Sequence, residues 1–113
     1  MSRRGDRFMW LMVMFDLPVK TKTQRGQANR FRNFLLKDGY LRMQYSVYGR
    51  ICNGLERVDK HLKRLENNLP PKGNIRALQM TDRQMKHMKF LLGKPEKDSS
   101  QDRQYSTRQL FLF

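Results

Sequence analysis

The stretch FMWLMVMFDLP, residues 8–18, is apolar without interruption until it ends on the carboxylate of Asp16. Both alternating sets of side chains are hydrophobic: Phe8, Trp10, Met12 and Met14 on one, Met9, Leu11, Val13 and Phe15 on the other. No Gly or Pro breaks the run. Its short length and bounded ends predict a strand buried on both sides, although periodicity alone also admits a buried helix segment. Leu17-Pro18 closes it, because proline steers its predecessor out of continued regular structure.

Downstream of that strand, Thr23 is placed to cap a helix over residues 24–38, closed by Gly39 at a position suited to left-handed geometry. Ala28, Phe31, Phe34 and Leu35 form its buried stripe, with Arg25, Arg32, Arg30 and Lys37 along its sides. Residues 40–52, YLRMQYSVYGRIC, are rich in aromatic and β-branched types and predict two short strands or one kinked strand. Asn53-Gly54 ends them. A second helix follows over 55–69, with Leu55, Val58, Leu62, Leu65 and Leu69 on one face and Arg57, Lys60 and Arg64 opposite. Pro70-Pro71 stops it, Lys72-Gly73-Asn74 turns the chain, and residues 75–80 predict another strand. A short helix is expected over 82–89, which Phe90-Leu91-Leu92 either extends or follows as a strand.

Strand, helix, strand, strand, helix, strand is the order of a ferredoxin-like α+β fold, an antiparallel sheet with both helices on one face. Such a sheet ordinarily has one wet face, yet the first strand has none. A second copy of the chain would cover the far face, which predicts a homodimer through the sheets. The domain is expected to span residues 1–93. Residues 94–108 read as a polar linker, and 109–113 as a C-terminal strand. Its Leu110, Phe111, Leu112 and Phe113 need a sheet edge to dock on, and the dimer partner's edge is the expected receptor.

The chain has 113 residues and a formal charge of +14, from 24 Lys and Arg against 10 Asp and Glu. Charge of that size opposes compaction and calls for an anionic partner. Nucleic acid fits best, because neutralised phosphates release counterions. A membrane fits poorly, since the cations are spread along the chain and the apolar run is too short to span a bilayer. Cys52 is the single cysteine, which excludes an internal disulfide and a Cys-rich zinc site. Arg3, Arg4 and Arg7 before an apolar run imitate an export signal, but no small-residue cleavage site follows, so a cytoplasmic location is expected.

Among individual residues, Asp16 has the simple reading of a turn carboxylate accepting backbone amides. Chemistry would require more, because Mg²⁺ or Mn²⁺ prefers several oxygen ligands; a two-fold axis would supply Asp16 twice. His61 and His87 have no partner spaced for catalysis or metal binding. Ser46 lacks an evident base. Arg50 suits phosphate or an acid equally. Tyr45, Tyr48 and Phe15 could stack on bases but fit a sheet core better. The basic set Lys20, Lys22, Arg25, Arg30, Arg32 and Lys37 is the stronger signal, since no acid lies between Asp16 and Asp38. It starts beside a helix N-terminus, whose amides and dipole favour phosphate. Contacts of this kind read backbone shape rather than base sequence.

The blocks VMFDLP, FRNFLLKDGY, QYSVYGR and PPKGNIRALQMTDRQ, in that order, resemble the small CRISPR-associated adaptation proteins of the Cas-two family, in the form accompanying Cas-nine-type systems. The resemblance runs from Phe8 to about Gly93. It implies a ferredoxin-like homodimer that binds double-stranded protospacer DNA between pairs of the Cas-one integrase during spacer acquisition. It also implies, for many members, a metal-dependent endonuclease acting on RNA or DNA with Mg²⁺ or Mn²⁺. Asp16 matches the family's metal-ligand aspartate, one from each protomer, while Pro18 stands where another polar or acidic residue is frequent. The Cas-nine-type effector and RNA are further partners the resemblance admits. An RNA-binding ferredoxin-like module is disfavoured, because YSVYGRIC lacks the glycine-aromatic pattern of that class.

Overall fold

The structure, a computed structural model, describes residues 8–93. Its elements run β1 (Phe8–Asp16), α1 (Lys22–Lys37), β2 (Leu41–Gln44), β3 (Val47–Asn53), α2 (Leu55–Glu66), β4 (Asn74–Thr81) and α3 (Asp82–Lys86). The strands form one sheet in the order β2-β3-β1-β4, with every neighbouring pair antiparallel. This is the ferredoxin-like arrangement expected from the element order. The described residues divide into two units, with the boundary between Asp82 and Arg83. The expected linker over 94–108 and terminal strand over 109–113, with Leu110, Phe111, Leu112 and Phe113, lie outside the described residues.

β1 is a strand, and it is central. It pairs with β3 from Phe8↔Asn53 to Met14↔Val47, and with β4 from Met9↔Thr81 to Asp16↔Asn74. On the helix-covered face, Met9, Leu11, Val13 and Phe15 join Phe31 and Leu35 of α1, Val58 and Leu65 of α2, and Tyr40, Tyr48 and Cys52 in one core. Phe15 anchors the aromatic part, edge-on to Phe31 at 5.2 Å and tilted against Tyr48 at 5.6 Å. On the far face Trp10 and Met12 are also buried, and Gly49 of β3 leaves room for Met12, Met43 and the Trp10 ring. On that same face Met14, toward the Asp16 end, is half-buried, and Leu78 of β4, which pairs with Met12, is exposed.

Several boundaries differ from expectation for local reasons. Thr21, not Thr23, caps α1: its hydroxyl accepts from the Gln24 amide at 3.0 Å, while the Gln24 side chain accepts from the Thr21 amide at 3.1 Å. Thr21-Lys22-Thr23-Gln24 is thus a capping box, a signal that outranks Thr23. α2 stops at Glu66 rather than residue 69, and Leu69 is exposed. Pro70 restricts Leu69 directly, and Asn68 folds back to donate to the Arg64 carbonyl at 2.8 Å. Leu55 is exposed too, so the buried stripe is Val58, His61 and Leu65. α3 is shorter than the expected 82–89, and Phe90-Leu91-Leu92 is neither helix nor strand.

Gly73 sets the approach of the turn before β4 to the end of β1. It holds φ at +121°, and a Cβ there would stand 2.6 Å from the Leu17 side chain and 2.9 Å from the Asp16 carbonyl oxygen. Backbone cannot yield as a flexible side chain does. Gly73→Ala is expected to cost about 1–3 kcal/mol, read as a lower thermal unfolding midpoint. A midpoint equal to that of the parent protein would refute this.

Candidate functional site

Asp16 ends β1 opposite Asn74, and its side chain is exposed. It opens onto a depression lined by Met14, Phe15, Asp16, Asn74 and Arg76. No second carboxylate lines that depression, and no group of three His, Cys, Asp or Glu residues suited to a metal occurs among the described residues. The described residues of one chain therefore fall short of the oxygen donor set that Mg²⁺ or Mn²⁺ prefers, and Arg76 adds positive charge beside Asp16. The described residues of a single chain do not fit the metal implied by the family resemblance.

The basic set does not form one patch. Lys20, Lys22, Arg25, Arg30 and Lys37 are exposed, and Arg32 is half-buried. Arg25 and Arg32, seven residues apart, line a pocket with Val19, Ala28, Asn29 and Tyr45. Arg30 instead lines a groove with Gln27, Phe31 and Asn68-Leu69-Pro70-Pro71. Lys37 lies in the last turn of a 16-residue helix, about 20 Å along the axis from Lys22.

Two of these arginines also hold local structure. Arg25 Nη1 donates to the carbonyls of Val19 and Lys20, both at 3.2 Å, fixing the loop that leads into α1. Arg32 Nη1 donates to the Tyr45 carbonyl and Nη2 to Ser46 Oγ, the latter at 3.2 Å. Its guanidinium lies 3.9 Å from the Tyr45 ring centroid and 4.9 Å from that of Phe15. Ser46 is an acceptor in this clamp. Tyr48 and Phe15 are core residues, as the strand reading expects, but Tyr45 sits in the β2–β3 turn and is 71% exposed.

A cluster that sequence reasoning missed lies behind the sheet. Asp38, at the C-cap of α1, accepts from Arg64 Nη1 at 2.6 Å and meets His61 Nδ1 at 2.7 Å, both from α2. Its side chain is only 7% exposed. Arg50 of β3 donates to the Asp38 carbonyl and stands 3.5 Å from His61 Nδ1. Burial and the neighbouring Arg50 hold the imidazole below its ordinary pKa, against the pull of Asp38. At neutral pH the ring is therefore neutral, and Nδ1–H donates to the carboxylate. Burial alone would push the Asp38 carboxyl up, but the hydrogen bonds from His61 and Arg64 outweigh it and the net shift is downward. Gly39, at φ +92°, leaves the space that the Arg50 guanidinium fills. Arg50 is thus tied to an acidic residue's backbone, and His61 is a buried structural group.

Fold and sites together define an α+β, ferredoxin-like domain with an exposed carboxylate at the end of its central strand and cations along its first helix. The family model described as CRISPR associated protein Cas2 matches residues 9–88, and the chain belongs to that family. It is 45% identical over 105 residues to a "CRISPR-associated endoribonuclease Cas2" of Acidovorax ebreus (strain TPSY), covering 93% of this chain and 100% of the relative. It is 46% identical over 88 residues to a protein of the same description from Campylobacter jejuni, covering 78% of this chain and 62% of that one. A solved structure, "Crystal structure of cas2", superposes with a TM-score of 0.51 at 18% identity, covering 82% of this chain and 92% of that one, a likeness of fold. No helix among the described residues is long and apolar enough to cross a membrane.

The cluster makes acid the weak side of the fold. A group whose folded pKa is depressed releases its proton more readily folded than unfolded, so protonation favours unfolding. For His61 stability is complete above its ordinary 6.5 and declines as pH falls below it. For Asp38 a further loss begins below 3.8. Thermal midpoints are expected to be flat between pH 7 and 8 and to fall as pH drops below 6.5, and His61→Gln is expected to flatten that limb. A parent midpoint that rises on acidification through this range would contradict the assignment. Asp38→Ala is expected to cost about 2 kcal/mol at neutral pH, measured by denaturant unfolding.

Proposed function

We propose that the chain serves CRISPR adaptation as a dimeric basic subunit that binds double-stranded protospacer DNA and bridges Cas-one integrase dimers. The observation that carries this reading is the acid-free segment between Asp16 and Asp38, whose Lys20, Lys22, Arg25, Arg30 and Lys37 are exposed. Lys20 and Lys22 flank the capped start of α1, where free amides and the helix dipole add to their field. The contacts are to phosphate, so duplex sequence matters little. Two copies facing each other across this face of the sheet would cover Met14 and Leu78 and bring the two Asp16 residues together. The reading places the protein in the cytoplasm, with the Cas-nine-type effector as a further partner suggested by the sequence blocks.

The specific test is salt. Binding to a blunt duplex is expected to weaken steeply with ionic strength, and the double variant Lys20→Gln, Lys22→Gln should reduce the log–log slope by about 2. Spacer integration by the reconstituted integrase complex should fall with it. An unchanged slope and unchanged integration would remove the phosphate-binding role.

A second reading, metal-dependent endonuclease, is favoured by the exposure of Asp16 and by the relatives described as endoribonucleases. It requires Mg²⁺ or Mn²⁺ held by Asp16 from each of two copies, because the described residues of one chain supply too few donors. Purified protein would then cleave RNA, and Asp16→Asn would abolish cleavage while leaving duplex affinity intact. Cleavage that survives Asp16→Asn would rule out this site. Integration that persists in Asp16→Ala would separate the scaffold from the nuclease.

A further inference from the structure

Tyr45 is a large aromatic ring held out in solvent at a turn, 71% exposed, where a strand reading would bury it. It is also fixed. Arg32 donates to the Tyr45 carbonyl and to Ser46 Oγ, and the same guanidinium lies 3.9 Å from the ring centroid. One face of the ring is thus backed by a cation, and the exposed remainder faces water. Beside it lies a pocket of about 220 Å³ lined by Val19, Arg25, Ala28, Asn29, Arg32 and Tyr45. That is below the roughly 300–1,000 Å³ of drug-sized ligand sites, so it suits a single ring rather than an extended molecule. Arg25 uses Nη1 for the Val19 and Lys20 carbonyls, and a guanidinium has five N–H donors. Among the described residues no acid lines the pocket.

We infer that Tyr45, backed by Arg32 and flanked by Arg25, is a stacking shelf for an unpaired nucleotide. The base lies on the open side of the Tyr45 ring, and the adjoining phosphate meets the remaining donors of Arg25. Aromatic faces accept any base, and a neighbouring guanidinium strengthens both the stacking and the phosphate contact. The shelf would therefore be tolerant of sequence. It rests on the nucleic-acid reading above but adds a preference for unpaired over paired strands. The unpaired nucleotide could come from a DNA tail beside a duplex or from single-stranded RNA, since both present the same base face and phosphate.

The test measures binding of the full chain to a blunt DNA duplex, to the same duplex carrying unpaired tails with 2-aminopurine, and to a single-stranded RNA with the same label. The tailed duplex or the RNA, whichever is the source, is expected to bind about tenfold more tightly through the shelf, with quenching of 2-aminopurine fluorescence. Tyr45→Ala and Tyr45→Leu should abolish the increment and the quenching, and Tyr45→Phe should retain both. Blunt-duplex affinity should be unchanged in all three. Equal affinity of the parent protein for blunt and unpaired strands would overturn the shelf. So would an equal loss on both duplexes in Tyr45→Leu, or a Tyr45 effect confined to a protein partner. Failure of the parent to bind blunt duplex, with the increment intact, would instead refute the scaffold reading alone.

Discussion

Everything in this domain is referred to β1. It is hydrogen-bonded along both edges, to β3 and to β4, and buried on both faces for most of its length. Burial of apolar surface on two sides stabilises it strongly and leaves little freedom of register. A slip of one residue would place Trp10 among the helices and Leu11 on the far face. The ladders then carry that register outward, setting Asn74 opposite Asp16 and Gly49 opposite Met12. The exposed carboxylate at the end of β1 is therefore a consequence of where this strand can stop being buried.

The second organising contact is electrostatic. In a chain with only 10 acidic residues, Asp38 is committed to the interior, where it joins the end of α1 to His61 and Arg64 of α2. Desolvating a carboxylate is costly unless its oxygens are satisfied, and here each oxygen has a donor. The acid that ties the helices together is thereby withdrawn from the surface. Cations on the outer side of α1 are left with little local neutralisation, and this is the field on which an anionic partner would act.

The element order, the central position of β1 and the Gly39 stop were legible because periodicity and turn chemistry are local properties. The capping box at Thr21 was legible in principle, since Gln24 stands three residues on. The exposed end of α2 was misjudged because Leu55 and Leu69 satisfy a helical stripe without reaching the core. The role of His61 was hidden for the same reason in reverse: a polar ring at a core position makes sense only once Asp38 and Arg50 arrive from other elements. Arg32 and Tyr45 illustrate the point on the surface. Their separation of 13 residues carries no signal until the β2–β3 turn brings the carbonyl and ring of Tyr45 to the guanidinium.

The sequence by itself determined the class of fold, through a strand with no polar face and two helices punctuated by glycine and proline. It also determined the charge, because net charge does not depend on folding. Only the tertiary structure decided which cations share a pocket, that Asp38 is interior, and that Asp16 stands without a second carboxylate among the described residues of one chain. Those are relations between residues distant in sequence. They follow from sheet register and helix packing, which bring side chains together across distances that no local pattern spans.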